Sequence, residues 1–134
     1  MYDRYSEKFP EVKSITASQL QQWQSSQKII LVDVRTPKER EVSIIPNAIT
    51  SEEFDRHLDR YRHHKIVVYC TIGYRSGKYA QKYPNNLQIF NLEGGILAWS
   101  HLGGKLINDR GNTNKIHVYG DRWKLAPENY QAVW

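Results

Sequence analysis

An α/β domain built on a parallel sheet is the architecture this sequence predicts, and two patterns predict it. Short apolar runs, KIILVDVR (28–35), KIVVYC (65–70) and LQIFNL (87–92), alternate with segments of helical spacing. The runs are continuous rather than alternating apolar and polar, as strands covered on both faces are. Right-handed crossovers then place the helices on both sides of the sheet. The 134 residues suit one domain, and a 40% hydrophobic content supplies one core.

ITASQLQQWQSS (15–26) opens a helix that Thr16 can cap, with Gln19 three residues on completing a capping box. Strand 28–35 cannot continue past Pro37 in a sheet interior. Thr50 with Glu53 makes a second capping box, and Phe54, Leu58 and Tyr61 then share one helical face. After strand 65–70, SGKYAQKY (76–83) sets Ser76, Ala80 and Tyr83 at helical spacing, and Pro84 ends that helix. The strand 87–92 leads into a short helix, GGILAWSHL (94–102). Residues 107–134 break the alternation. IHVYGDRWKL (116–125) reads as a hairpin around Gly120 and Asp121. The rings of Tyr119, Trp123, Tyr130 and Trp134 are expected to pack back on the domain. The chain thus divides into a domain over 1–106 and an extension over 107–134.

Composition narrows the function. Nineteen Lys and Arg against fourteen Asp and Glu give a net charge of +5, which weakly favours anionic ligands. In the run 51–65, Arg56, Arg60, Arg62 and Lys65 are offset by Glu52, Glu53, Asp55 and Asp59, so a solvated helix face is expected and nucleic-acid binding is not. No apolar stretch is long enough for a membrane helix, and the first residues carry no secretory signal. The single cysteine, Cys70, has no intrachain disulfide partner and cannot build a cysteine-based metal site. A reducing, cytoplasmic setting is the simplest reading. His57, His63, His64, His101 and His117 show no catalytic or metal-ligating spacing and are expected at the solvent face.

The chemistry-bearing feature is Cys70 with the segment on its carboxyl side. The stretch from Cys70 to Leu92 holds Arg75, Lys78 and Lys82 and no acid. Ligands of open parallel sheets sit beyond the carboxyl ends of the strands, where Cys70 ends its strand. The segment Thr71-Ile72-Gly73-Tyr74-Arg75-Ser76 leads from there into a helix. Its backbone N–H groups can converge on an anion and favour a thiolate. Gly73 permits the tight turn. Arg75 adds a permanent charge, and Ser76 can cap the helix or donate to a bound anion. Ile72 and Tyr74 are expected at the pocket rim. A small core cysteine would be the ordinary reading of one thiol at a strand end, but it does not need Gly, Arg and Ser in register behind it. Asp33 and Arg35 end the first long strand at the same sheet edge. They are expected to form a structural ion pair involving Glu39 or Glu41.

Four stretches in order resemble the rhodanese-like sulfurtransferase family: ITASQL (15–20), LVDVRTPKERE with IPNAI after it (31–49), VVYCTIGYRS (67–76) and NLEGGILAW (91–99). The resemblance implies a single-domain member with a five-stranded parallel sheet and helices on both faces. It also implies a catalytic Cys70 and an active-site loop from Thr71 to Arg75. Where the family commonly has His-Ile-Pro-Gly-Ala, this chain has Ile44-Ile45-Pro46-Asn47-Ala48, a departure that bears on packing rather than on the nucleophile. Where the family often has Pro after the last helix, this chain has GGKL (103–106). The retained cysteine favours an enzyme over a binding module.

The implied reaction moves a sulfane sulfur from a small anionic donor such as thiosulfate, through a Cys70 persulfide, to a thiol, cyanide or a protein acceptor. No cofactor is implied. The departing sulfite is a stable anion, so no general acid is needed, and loop amides carry the electrostatic load. One alternative is a cysteine phosphatase or arsenate reductase, whose loops place five residues between Cys and Arg. Here Thr71 to Tyr74 make four. Another is a non-catalytic partner-binding module using the aromatic tail. Peroxidase cycling lacks an internal resolving thiol.

Overall fold

The computed structural model describes residues 12–83, 87–117 and 131–133. Five parallel strands form one sheet in the order β1-β5-β4-β2-β3: β1 (Lys13–Ile15), β2 (Ile29–Asp33), β3 (Ile49–Thr50), β4 (Lys65–Tyr69) and β5 (Ile89–Leu92). The three strands expected from apolar runs are its centre. In the register Leu31 lies beside Val67 and Asp33 beside Tyr69, and Val68 lies beside Asn91.

Alternate residues of each central strand enter opposite cores, which is why the runs are continuously apolar. Leu31, Val67 and Tyr69 face one core with Leu20, Ile96 and Leu97. Val32, Ile66 and Val68 face the other with Phe54, Tyr61 and Ala80. The first core is covered by α1 (Ala17–Ser26) and α6 (Gly95–His101), the second by α3 (Ser51–Arg56), α4 (Leu58–Tyr61) and α5 (Tyr74–Ala80). Among the described residues no helix is long and apolar enough to cross a membrane.

Local signals mostly act as expected. Thr16 and Gln19 form a reciprocal capping box on α1. Thr50 accepts the Glu53 amide at 3.1 Å, but the return bond that would complete a second box is not formed there. Instead the second reciprocal box is Thr36 with Glu39, which starts α2 (Pro37–Val42) with Pro37 in its first turn. Phe54 and Tyr61 are buried together, as their spacing requires, yet His57 divides the segment into two short helices. The helix after Cys70 starts at Tyr74 and ends at Ala80, while Pro84 lies outside the described residues. Asn47, standing where the resemblance has Gly, sits at φ 72 in a turn closed by the Ala48 amide on the Ile45 carbonyl. Asn tolerates that left-handed conformation better than most side chains do.

Beyond residue 105, β6 (Leu106–Asn108) and β7 (Gly111–Thr113) form an antiparallel hairpin. Ile44 and Ile107 exchange backbone bonds of 2.8 and 3.0 Å, tying this hairpin to the domain. The expected hairpin over 116–125 has its turn outside the described residues. What is described there is β8 (Lys115–His117) paired in parallel with β9 (Gln131–Val133), a pairing no tight turn can connect. The rings of Tyr119, Trp123, Tyr130 and Trp134 also lie outside the described residues. Leu106 and Ile116 are fully interior in the first core, and β8 lies against α2. Ile116→Ala is expected to lower stability by about 2–4 kcal/mol in denaturant unfolding, because it empties a closed part of that core.

Candidate active site

Cys70 leaves the carboxyl end of β4, flanked by β2 and β5. Its backbone is held from behind by α6. The Ile96 amide donates to the Cys70 carbonyl at 2.9 Å and the Leu97 amide to the Thr71 carbonyl at 3.2 Å. This close docking explains Gly95, which has φ +58. A Cβ there would stand 2.3 Å from the Cys70 carbonyl oxygen and 2.6 Å from the Thr71 backbone. The chain then turns through Gly73, at φ +106, whose N–H reaches back to the Cys70 Sγ at 3.1 Å.

Two buried polar residues shape the turn. Asn91, on β5, donates from Nδ2 to the Gly73 carbonyl at 3.0 Å. The Ser76 Oγ lies 2.5 Å from Asn91 Oδ1, 3.3 Å from the Gly73 carbonyl and 3.4 Å from Sγ. Its one proton serves one of these acceptors at a time.

Glu39 holds the other side. Its carboxylate is wholly buried. It accepts from Arg75 Nη1 and Nη2, both at 2.7 Å, from the Thr71 hydroxyl at 3.0 Å, and from the Thr36 amide and hydroxyl, both at 3.1 Å. Burial pushes this carboxyl up. The bonds from Arg75, Thr36 and Thr71 outweigh it and hold the group down at about 2. Arg75 is correspondingly raised, chiefly by its bonds to Glu39. The acid-free stretch after Cys70 therefore receives its counter-charge from α2.

Asp33 and Arg35 do form an ion pair, but with each other. Arg35 Nη2 meets Asp33 at 2.7 Å and the Ser43 carbonyl at 2.6 Å. Glu39 is taken by Arg75 instead. The fully buried Tyr69 donates to Asp33 at 2.7 Å and accepts the Ile45 amide at 3.1 Å. Burial works against the Arg35 charge, yet Asp33 holds the group above its ordinary value.

The loop residues thus gather around one sulfur, with several roles changed. Cys70 is 1% exposed, so the cup is closed over it. Ile72, expected at the rim, is buried in the first core and takes no part in the mouth. Tyr74, 37% exposed, does stand at the surface. Ser76 does not cap its helix: Gly73 occupies the cap position and Ser76 lies inside the first turn. Thr71 is buried against Glu39, and Arg75 is bound there too. Sequence reasoning missed the part that Glu39 and Asn91 play at the thiol. The T-P-K-E capping box and a polar Asn91 between Phe90 and Leu92 were the signals present.

Gly95→Ala is expected to cost about 1–3 kcal/mol of stability in chemical unfolding, since backbone atoms of Cys70 and Thr71 must shift. The Glu39 carboxyl is lowered on folding from 4.5 to about 2. Its contribution is therefore complete above pH 4.5 and is lost as the pH falls toward 2. Unfolding free energies across that window should drop by on the order of 2 kcal/mol more in the native protein than in Glu39→Gln.

Residues 16–102 match the rhodanese-like domain family. A sulfurtransferase of Allochromatium vinosum is 32% identical over 95 residues, which cover 64% of this chain and 85% of that protein. A rhodanese-like domain protein of Staphylococcus aureus is 32% identical in a superposition covering 66% of this chain and 91% of that one, with a TM-score of 0.55. A thiosulfate sulfurtransferase of Pseudomonas aeruginosa shares the fold at 19% identity and a TM-score of 0.68, over 96% of this chain and 26% of its own. The matched span takes in the sheet from β2 to β5 together with the turn that carries the thiol, and on it the chain belongs to the rhodanese-like domain family.

Proposed function

We propose that this chain is a sulfurtransferase that carries a sulfane sulfur on Cys70. The thiolate attacks the outer sulfur of an anionic donor such as thiosulfate. A bond forms between Sγ and that sulfur, and the donor's S–S bond breaks with its electron pair leaving on sulfite. A thiol, cyanide or a protein nucleophile then attacks the outer persulfide sulfur, and the Cys70 thiolate is released.

The observation that carries this reading is the Gly73 N–H on Sγ at 3.1 Å, in a turn of only four residues between Cys70 and Arg75. A donor so placed stabilises negative charge on the Cys70 thiolate. Two features support a single sulfur, rather than a tetrahedral oxyanion, at the centre. The turn is short, and the Arg75 guanidinium is engaged by Glu39 instead of being turned inward as a free fork. Arg75 and Thr71 then act by holding the loop. Because Cys70 is 1% exposed, a donor reaches the sulfur only when the atoms that cover it move aside.

Incubation with thiosulfate and cyanide should release thiocyanate, and mass spectrometry after thiosulfate alone should find one added sulfur on Cys70. Cys70→Ser should lose both signals, by at least about a hundredfold, with an unchanged melting curve. Absence of thiocyanate and of added sulfur in the unmodified protein would overturn the reading.

A further inference from the structure

We infer that Ser76 and Asn91 form a hydroxyl switch behind Cys70, in which the Ser76 proton is given to Asn91 while the sulfur is protonated and to the sulfur once it is charged. This rests on Cys70 being the reacting group, as proposed above.

The direction of the Asn91 amide is fixed by chemistry. Its Nδ2 faces the Gly73 carbonyl at 3.0 Å. Turning the amide over would set two carbonyl oxygens against each other. Oδ1 therefore faces Ser76, and at 2.5 Å the serine is the donor. With its proton so placed, the Ser76 Oγ turns lone pairs toward Sγ at 3.4 Å. That arrangement accepts an S–H and opposes a sulfur anion. On ionisation the S–H proton passes to a buffer base and the electron pair stays on sulfur. The Ser76 O–H then rotates from Asn91 Oδ1 to Sγ, exchanging one hydrogen bond for another. Gly73 N–H donates to the sulfur in both states. Asn91 thus acts through Ser76 and is a positioning residue.

Arg75, on α5, carries a charge that interacts with Cys70, and it is paired with Glu39 from α2. Neither is altered by substitution at Ser76 or Asn91. Asn91 and Ser76 are 4% and 0% exposed, so their bonds do not compete with bulk water.

Because the chain has one cysteine, its infrared S–H stretch belongs to Cys70 alone. That band should be broadened and lowered in the native protein by donation to Ser76, and should sharpen and rise in Ser76→Ala. Alkylation of Cys70 by iodoacetamide at pH 7 should slow roughly tenfold in Ser76→Ala, which removes a bond to the charged sulfur. It should quicken in Asn91→Leu, which releases the serine proton from its shortest bond and leaves it to the charged sulfur and the Gly73 carbonyl. The double variant should match Ser76→Ala. An S–H band unchanged by Ser76→Ala overturns the switch. So does an Asn91→Leu effect of equal size with and without Ser76, since that marks a loop-support role. If Asn91→Leu does not fold, the infrared comparison alone decides. Neither readout needs turnover: absence of both thiocyanate and added sulfur beside a shifted S–H band would defeat the sulfurtransferase reading and leave the switch standing.

Discussion

The buried Glu39 carboxylate is the constraint on which the site depends. An anion removed from water must have its lone pairs taken up, and here the donors come from two places. Thr36, at the start of α2, supplies an amide and a hydroxyl. Thr71 and Arg75, from the turn after Cys70, supply the rest. One group therefore starts a helix, locks the sulfur-bearing turn and neutralises its cation. Removing it would leave the Arg75 guanidinium without its carboxylate and the turn without its hold from α2. Such a hub belongs to the class of buried pairs that are costly to break, whatever their net contribution when intact.

The centre of the fold was legible because β2, β4 and β5 are buried on both faces and therefore read as predominantly apolar runs. The edges were not. β1 and β3 are three and two residues long, too short to show any period, and only the family resemblance implied five strands. Helix starts were legible where a hydroxyl stands three residues before Glu or Gln. Even so, the same pattern closes fully at Thr36 and only halfway at Thr50. The capping rule states what two side chains can reach, while tertiary packing decides whether both do.

Within the site, the thiol-bearing turn was legible from the order of residue types in C-x-x-G-x-R-S. Its contacts were not, because those depend on partners far away in sequence. Arg75 finds Glu39 36 residues earlier, and Ser76 finds Asn91 15 residues later. The same distance explains Ile72. Its neighbours in sequence suggest a mouth, but the turn folds it inward against the core under α6. Asp33 and Arg35 show the opposite case: two residues apart, they close a pair locally and leave Glu39 for the loop.

The docking of α6 on the carbonyls of Cys70 and Thr71 has a consequence for biosynthesis. A ribosome extends the chain from the amino end, so the thiol emerges well ahead of Ile96 and Leu97. Until those two amides have been made and have folded back, the carbonyls of Cys70 and Thr71 lack the donors that hold them in the finished domain. A nascent chain halted before α6 would carry its thiol on a turn without that anchorage, and only a nearly finished domain would supply it.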